Sequence, residues 1–135
     1  MQDLSPELFW LSATAIFTAL LWIPYIIALI GQWGLGPAFM DTEHEFRLEK
    51  AWARRAQRAH TNAVENLIIF AALILALELT GANNATTAMT AATFFWLRVA
   101  HYFVYVGRLP VIRTALFFAG FVCQVIIGLA VFGVI

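Results

Sequence analysis

From Leu8 to Ile30 this sequence carries no charged residue. Charge is scarce throughout: 12% of the 135 residues are charged, against 62% that are hydrophobic. A water-soluble domain usually holds about a quarter charged residues, so the shortage excludes an ordinary soluble surface. Cysteine is nearly missing too. Cys123 stands alone inside an apolar run, which rules out an intrachain disulfide and reads as a small buried hydrophobe. No basic residue precedes the first apolar run, and that run is longer than a signal core, so a cleaved signal peptide is not expected. There is no phosphate-cradling glycine loop, no nucleotide motif and no nucleic-acid signature. His60, Glu65 and His101 show no recognised metal-ligand spacing, so neither a metal nor a nucleic-acid partner is expected.

Four stretches fit a bilayer-spanning helix, which needs about 20 apolar residues. They are Leu8–Ile30, Ala63–Leu79, Ala85–Val106 and Ala115–Ile135. The expectation is an all-α, multi-pass integral membrane protein. It is read as a single four-helix transmembrane domain over 1–135, with helices roughly at 6–31, 48–79, 85–106 and 113–135. Ser5, Pro6 and Glu7 read as a helix start: a cap, a proline in the first turn, and an acid near the positive helix end. Pro24 predicts a kink. The eight Lys and Arg residues cluster at 47–58 and 98–113 and are absent from both termini and from Thr80–Thr87. The positive-inside rule then places both basic loops in the cytoplasm and the termini outside. His44, among Asp41, Glu43 and Glu45, reads as a solvated loop residue, and His60 as a structural hydrogen bonder.

The informative feature is polarity inside apolar helices. On a helix, Arg54, Arg58, Asn62 and Glu65 share one face, with Arg55 beside it. A carboxylate inside a membrane span must meet protein or water, and a cation from another helix is the expected partner of Glu65. Arg98, His101, Tyr102 and Tyr105 form a second stripe, and Arg113 opens the last helix after a short loop containing Arg108 and Pro110. Such groups can pin helices together as a closed network. They can also hold an anion. Cations outnumber acids here, whereas a purely structural network should balance its charges. Guanidinium forks also suit carboxylates.

RAQRAHTNAVEN resembles the hallmark segment of the MAPEG family, the membrane-associated proteins in eicosanoid and glutathione metabolism. The match falls on Arg55, Arg58, Ala59, Asn62 and Glu65. RVAHYFVYVGRLPVIR resembles a second family stretch through Arg98, His101, Tyr105 and Arg113, and Gly31-Gln32 is a third, shorter echo. The resemblance implies a four-helix bundle assembled as a homotrimer, with glutathione as co-substrate bound between subunits near the cytoplasmic side. It implies glutathione-binding roles for Gln32, Arg55, Arg58, Asn62, Glu65, Arg98, His101, Tyr105 and Arg108, and a catalytic role for Arg113 in stabilising the thiolate. The implied function is a glutathione-dependent transferase or peroxidase acting on a lipophilic small molecule that arrives from the lipid bilayer. Thr61 and Gly34-Leu35-Gly36 stand where some relatives carry basic residues. The family also holds noncatalytic lipid-binding or scaffold members, which is the alternative. A small four-helix exporter is disfavoured because the first apolar run has no ionisable residue.

Overall fold

The computed structural model describes residues 4–40 and 47–135. His44 and its acidic neighbours Asp41, Glu43 and Glu45 lie outside the described residues. The elements are α1 (Pro6–Leu20), α2 (Ile23–Trp33), α3 (Leu35–Met40), α4 (Ala51–Thr80), α5 (Ala85–Val106) and α6 (Pro110–Val131). Every regular element among the described residues is helical. Three runs are long and apolar enough to cross a membrane: Pro6–Trp33, Ala51–Thr80 and Pro110–Val131. Large apolar side chains such as Ile16, Ile68, Leu79, Val111 and Phe118 point outward, as they do where lipid is the solvent. The protein is an integral membrane protein.

The local signals explain most boundaries. Ser5 caps α1 by accepting from the Leu8 amide at 3.2 Å, with Pro6 in the first turn. The expected single helix over 6–31 is interrupted at Leu21-Trp22, and α2 restarts with Pro24 in its first turn. Proline has no N–H for the preceding turn and its ring crowds the carbonyl four residues back, so the chain breaks just ahead of it. The short α3 was not expected. The turn from α4 into α5 passes through Gly81 at φ 65°, and Asn84 with Thr87 closes a capping box on α5. α6 begins at Pro110, three residues before the expected start, because proline is well suited to a first helical turn.

α5 lies among α1, α4 and α6 and packs on all three. Small residues Ala53, Ala56, Ala59 and Ala63 are buried along one face of α4, which lets that helix approach closely. The core is built on Phe70, Ile74, Leu77, Phe94, Cys123 and Ile127. The rings of Phe70 and Phe94 stack at 4.0 Å.

At the end of the bundle away from the arginines, Glu7 is 1% exposed and accepts a hydrogen bond from the Thr87 hydroxyl. That hydroxyl also accepts from the Asn84 amide at 2.9 Å. Ser5 and Asn83 both donate to Glu78 beside it. Thr87→Val keeps the shape but strips buried Glu7 of this donor and the Asn84 amide of its capping acceptor. We expect a loss of about 1.5–3 kcal/mol, the scale of a hydrogen bond to a charged group, read as a lower melting temperature in detergent. An unchanged melting temperature would show that Glu7 draws its support from elsewhere.

Candidate functional site

Arg55, Arg58 and Asn62 fall at spacings of three and four along α4, which sets them on adjoining turns of one face. Tyr105 ends the polar stripe of α5, and Arg113 sits in the first turn of α6. The turn between these two helices is tight. The Arg108 amide bonds to the Tyr105 carbonyl at 3.2 Å, and the Leu109 amide to that of Val104 at 3.2 Å. Arg108 closes it at φ 66°, the left-handed region that usually falls to glycine, although Gly107 stands one residue earlier with a right-handed backbone. A left-handed conformation costs a non-glycine residue roughly 1–2 kcal/mol.

The outcome is two adjacent cavities that share Tyr105 and Arg113. One, of about 290 Å³, is lined by Asn62, His101, Tyr105, Arg113, Thr114 and Phe117. The other, also about 290 Å³, is lined by Arg55, Arg58, Tyr105, Arg108, Leu109, Pro110 and Arg113. Four guanidinium groups thus meet in the second cavity, and no described carboxylate lines either one. The Arg113 guanidinium carbon lies 4.9 Å from the centre of the Tyr105 ring, a cation–π distance. His101 is buried and packs edge-on against Tyr105 at 5.7 Å. Arg55 is anchored by its Nε, which donates to the Val106 carbonyl at 2.8 Å. The Asn62 side-chain oxygen is buried and has no hydrogen-bond partner among the described residues. A buried acceptor left unpaired costs about 1–3 kcal/mol.

Arg55, Arg58, Asn62, His101, Tyr105, Arg108 and Arg113 are therefore brought together. Gln32, Glu65 and Arg98 are not in the cavity lining. Gln32 accepts from the Glu49 amide at 3.3 Å, on the α2 side of α4. Glu65 is exposed on the outer face of α4; the cation expected from another helix is not beside it among the described residues. Arg98 is 3% exposed and turns toward α6, where its Nη2 donates to the Leu116 carbonyl at 3.3 Å. His60 hydrogen-bonds the Tyr25 hydroxyl at 2.9 Å, which accords with a structural role. The sequence reading missed Thr114 and Phe117 in the cavity wall. Their spacings of one and four from Arg113 on α6 were the available signal.

The model of the MAPEG family matches residues 10–133. No curated protein matches the chain, and no solved structure does.

Proposed function

The chain belongs to the MAPEG family, and from that premise we propose that it is a membrane-bound glutathione-dependent transferase or peroxidase. The observation that carries the reading is the cavity lined by Arg55, Arg58, Arg108 and Arg113 without an acid, joined through Tyr105 and Arg113 to a second chamber of mixed polarity. Uncompensated guanidinium in a confined site favours a ligand that brings its own negative charge. Glutathione carries two carboxylates, and its peptide N–H groups suit the unpaired Asn62 oxygen.

In this reading Arg55, Arg58 and Arg108 hold the carboxylates, and Asn62 orients the peptide. His101 and Tyr105 line the inner chamber beside the sulfur. Bound glutathione supplies a thiol whose ionised form is the nucleophile. Arg113 favours that ionised form by placing positive charge beside it. Tyr105 keeps the Arg113 side chain in place by stacking under it. The second substrate is a lipophilic electrophile or hydroperoxide entering from the bilayer. α5 acts as the fourth span: its 22 residues reach about 33 Å at 1.5 Å per residue. The basic loops face the cytoplasm and the termini the outside.

Glu65 fits a trimer. A carboxylate on the outer face of a membrane-spanning helix does not face lipid, so a neighbouring copy covers it, and one acid brought to four guanidinium groups still leaves positive charge in excess. Gln32 belongs to the same proposed assembly.

The test exploits the backbone at Arg108. Arg108→Gly relieves the left-handed strain and raises the unliganded melting temperature, by the equivalent of about 1 kcal/mol. The same change removes a carboxylate partner, so the stabilisation that glutathione gives is expected to weaken. Glutathione is titrated against melting temperature for both proteins in detergent. A wild-type protein that shows no shift at millimolar glutathione would overturn the reading and favour a noncatalytic lipid-binding member.

A further inference from the structure

Arg98 is a fully buried guanidinium that the cavity does not use. Its Nη2 reaches the Leu116 carbonyl at 3.3 Å, while its Nε and Nη1 have no partner among the described residues. It lies 5.4 Å above the centre of the Phe94 ring. On its other side is Gly120. A Cβ at Gly120 would stand 2.5 Å from Nη2, 3.1 Å from Cζ and 3.4 Å from Nε. The guanidinium therefore lies against the α6 backbone at Gly120, and a side chain there would have to displace its Nη2 end.

The register gives this contact its meaning. α5 and α6 run antiparallel, and seven residues separate Arg98 from Tyr105 on α5. Seven also separate Gly120 from Arg113 on α6. His101 and Phe117, which both line the inner chamber, sit between the two pairs at matching steps. Arg98–Gly120 and Tyr105–Arg113 are thus rungs of one ladder, two turns apart. An axial slip of one residue at the first rung would carry Arg113 about 1.5 Å along Tyr105.

We propose that Arg98 is a positioning residue, whose guanidinium locks α6 onto α5 at Gly120 and so holds Arg113 in place over Tyr105. The inference rests on the proposed role of the cavity only for its consequence; the lock itself is a property of the two helices. The side chain fills a slot that glycine opened, against the aromatic face of Phe94.

The experiment compares the full chain in detergent as wild type, Gly120→Ala, Arg98→Leu and the double variant. Gly120→Ala keeps every charge and touches neither cavity, but pushes the guanidinium out of its slot. Two readouts are taken. Hydrogen–deuterium exchange over residues 110–117, without ligand, reads the seating of α6 directly. Both single variants are expected to exchange faster there, and Gly120→Ala to add nothing once Arg98 is leucine. Glutathione affinity by thermal shift reads the consequence, with a loss of roughly tenfold in each single variant and no further loss in the double. Unchanged exchange over 110–117 in Gly120→Ala would overturn the lock. So would losses that simply add in the double variant, because two residues that act through one contact cannot contribute independently. Impaired affinity in Arg98→Leu alone would assign Arg98 a direct charge effect and also overturn it. A wild type blind to glutathione would instead sink the reading of the cavity, with the exchange cycle still deciding the lock.

Discussion

Arg113→Ala is expected to abolish the thiolate absorbance that glutathione develops on the wild-type protein at neutral pH, and to lower turnover by roughly 10²–10³-fold. A free thiol has a pKa of about 8.5, so only a few per cent is ionised at pH 7. The range for turnover is that for removing one preorganised group that stabilises developing charge. Binding suffers less than ionisation, because Arg55, Arg58 and Arg108 still line the outer cavity. Folding suffers less again. Arg113 is half-buried, and its stacking on Tyr105 is worth about 0.5–1 kcal/mol at an exposed site. The signature is thus a lost ultraviolet difference signal beside a nearly unchanged melting temperature. The pH–rate profile should also move. With Arg113 absent, its rising limb shifts upward toward the free-thiol value, because base must now do what the guanidinium did. Arg113→Lys should fall between the two, keeping a charge but losing the planar fork. A variant that retained the absorbance would assign the ionisation to another cation and end the role given to Arg113.

How much of this was legible beforehand depended on the distance over which each signal acts. Helical spacing alone put Arg58 and Asn62 on one face and grouped Arg98, His101 and Tyr105 on another. Those are contacts of three, four or seven residues, and the period of the helix decides them. Pro24 announced a kink for an equally local reason, and the structure goes further, with a break at Leu21-Trp22. The short helix Leu35–Met40 escaped because Gly34, Gly36 and Pro37 read as loop residues, and six residues are too few for a periodic signal. The left-handed Arg108 escaped because Gly107 was the natural candidate for that conformation. The largest difference concerns Arg98. Its stripe was visible, but the meeting with Gly120 depends on the register between two helices, and no local pattern encodes that. Glu65 shows the complementary case. Its helical spacing set it beside Arg58 and Asn62, yet it is exposed on the outer face of the bundle, and helical spacing says nothing of what lies opposite that face.

Register is also why the core beneath the site matters to it. Phe70 is fully buried and stacks on Phe94 at 4.0 Å, with the Arg98 guanidinium on Phe94 in turn. The column links α4, which carries Arg58 and Asn62, to α5, which carries His101 and Tyr105. Phe70→Ala is expected to destabilise the protein toward the lower part of the roughly 3–5 kcal/mol seen for such changes in soluble cores. In a bilayer the transfer contribution largely vanishes, because the lipid is as apolar as the protein interior. What remains is the cavity and the lost dispersion contacts. Phe94 loses the ring that fixes its face, and the slot holding Arg98 loosens with it. Two measurements separate these effects: unfolding by sodium dodecyl sulfate in mixed micelles, and exchange over residues 110–117 under native conditions. A large loss of stability together with faster exchange in α6 would show that the aromatic column braces the lock. The same loss with exchange unchanged would confine Phe70 to holding α4 and α5 together, and would leave the seating of α6 to Arg98 and Gly120 alone.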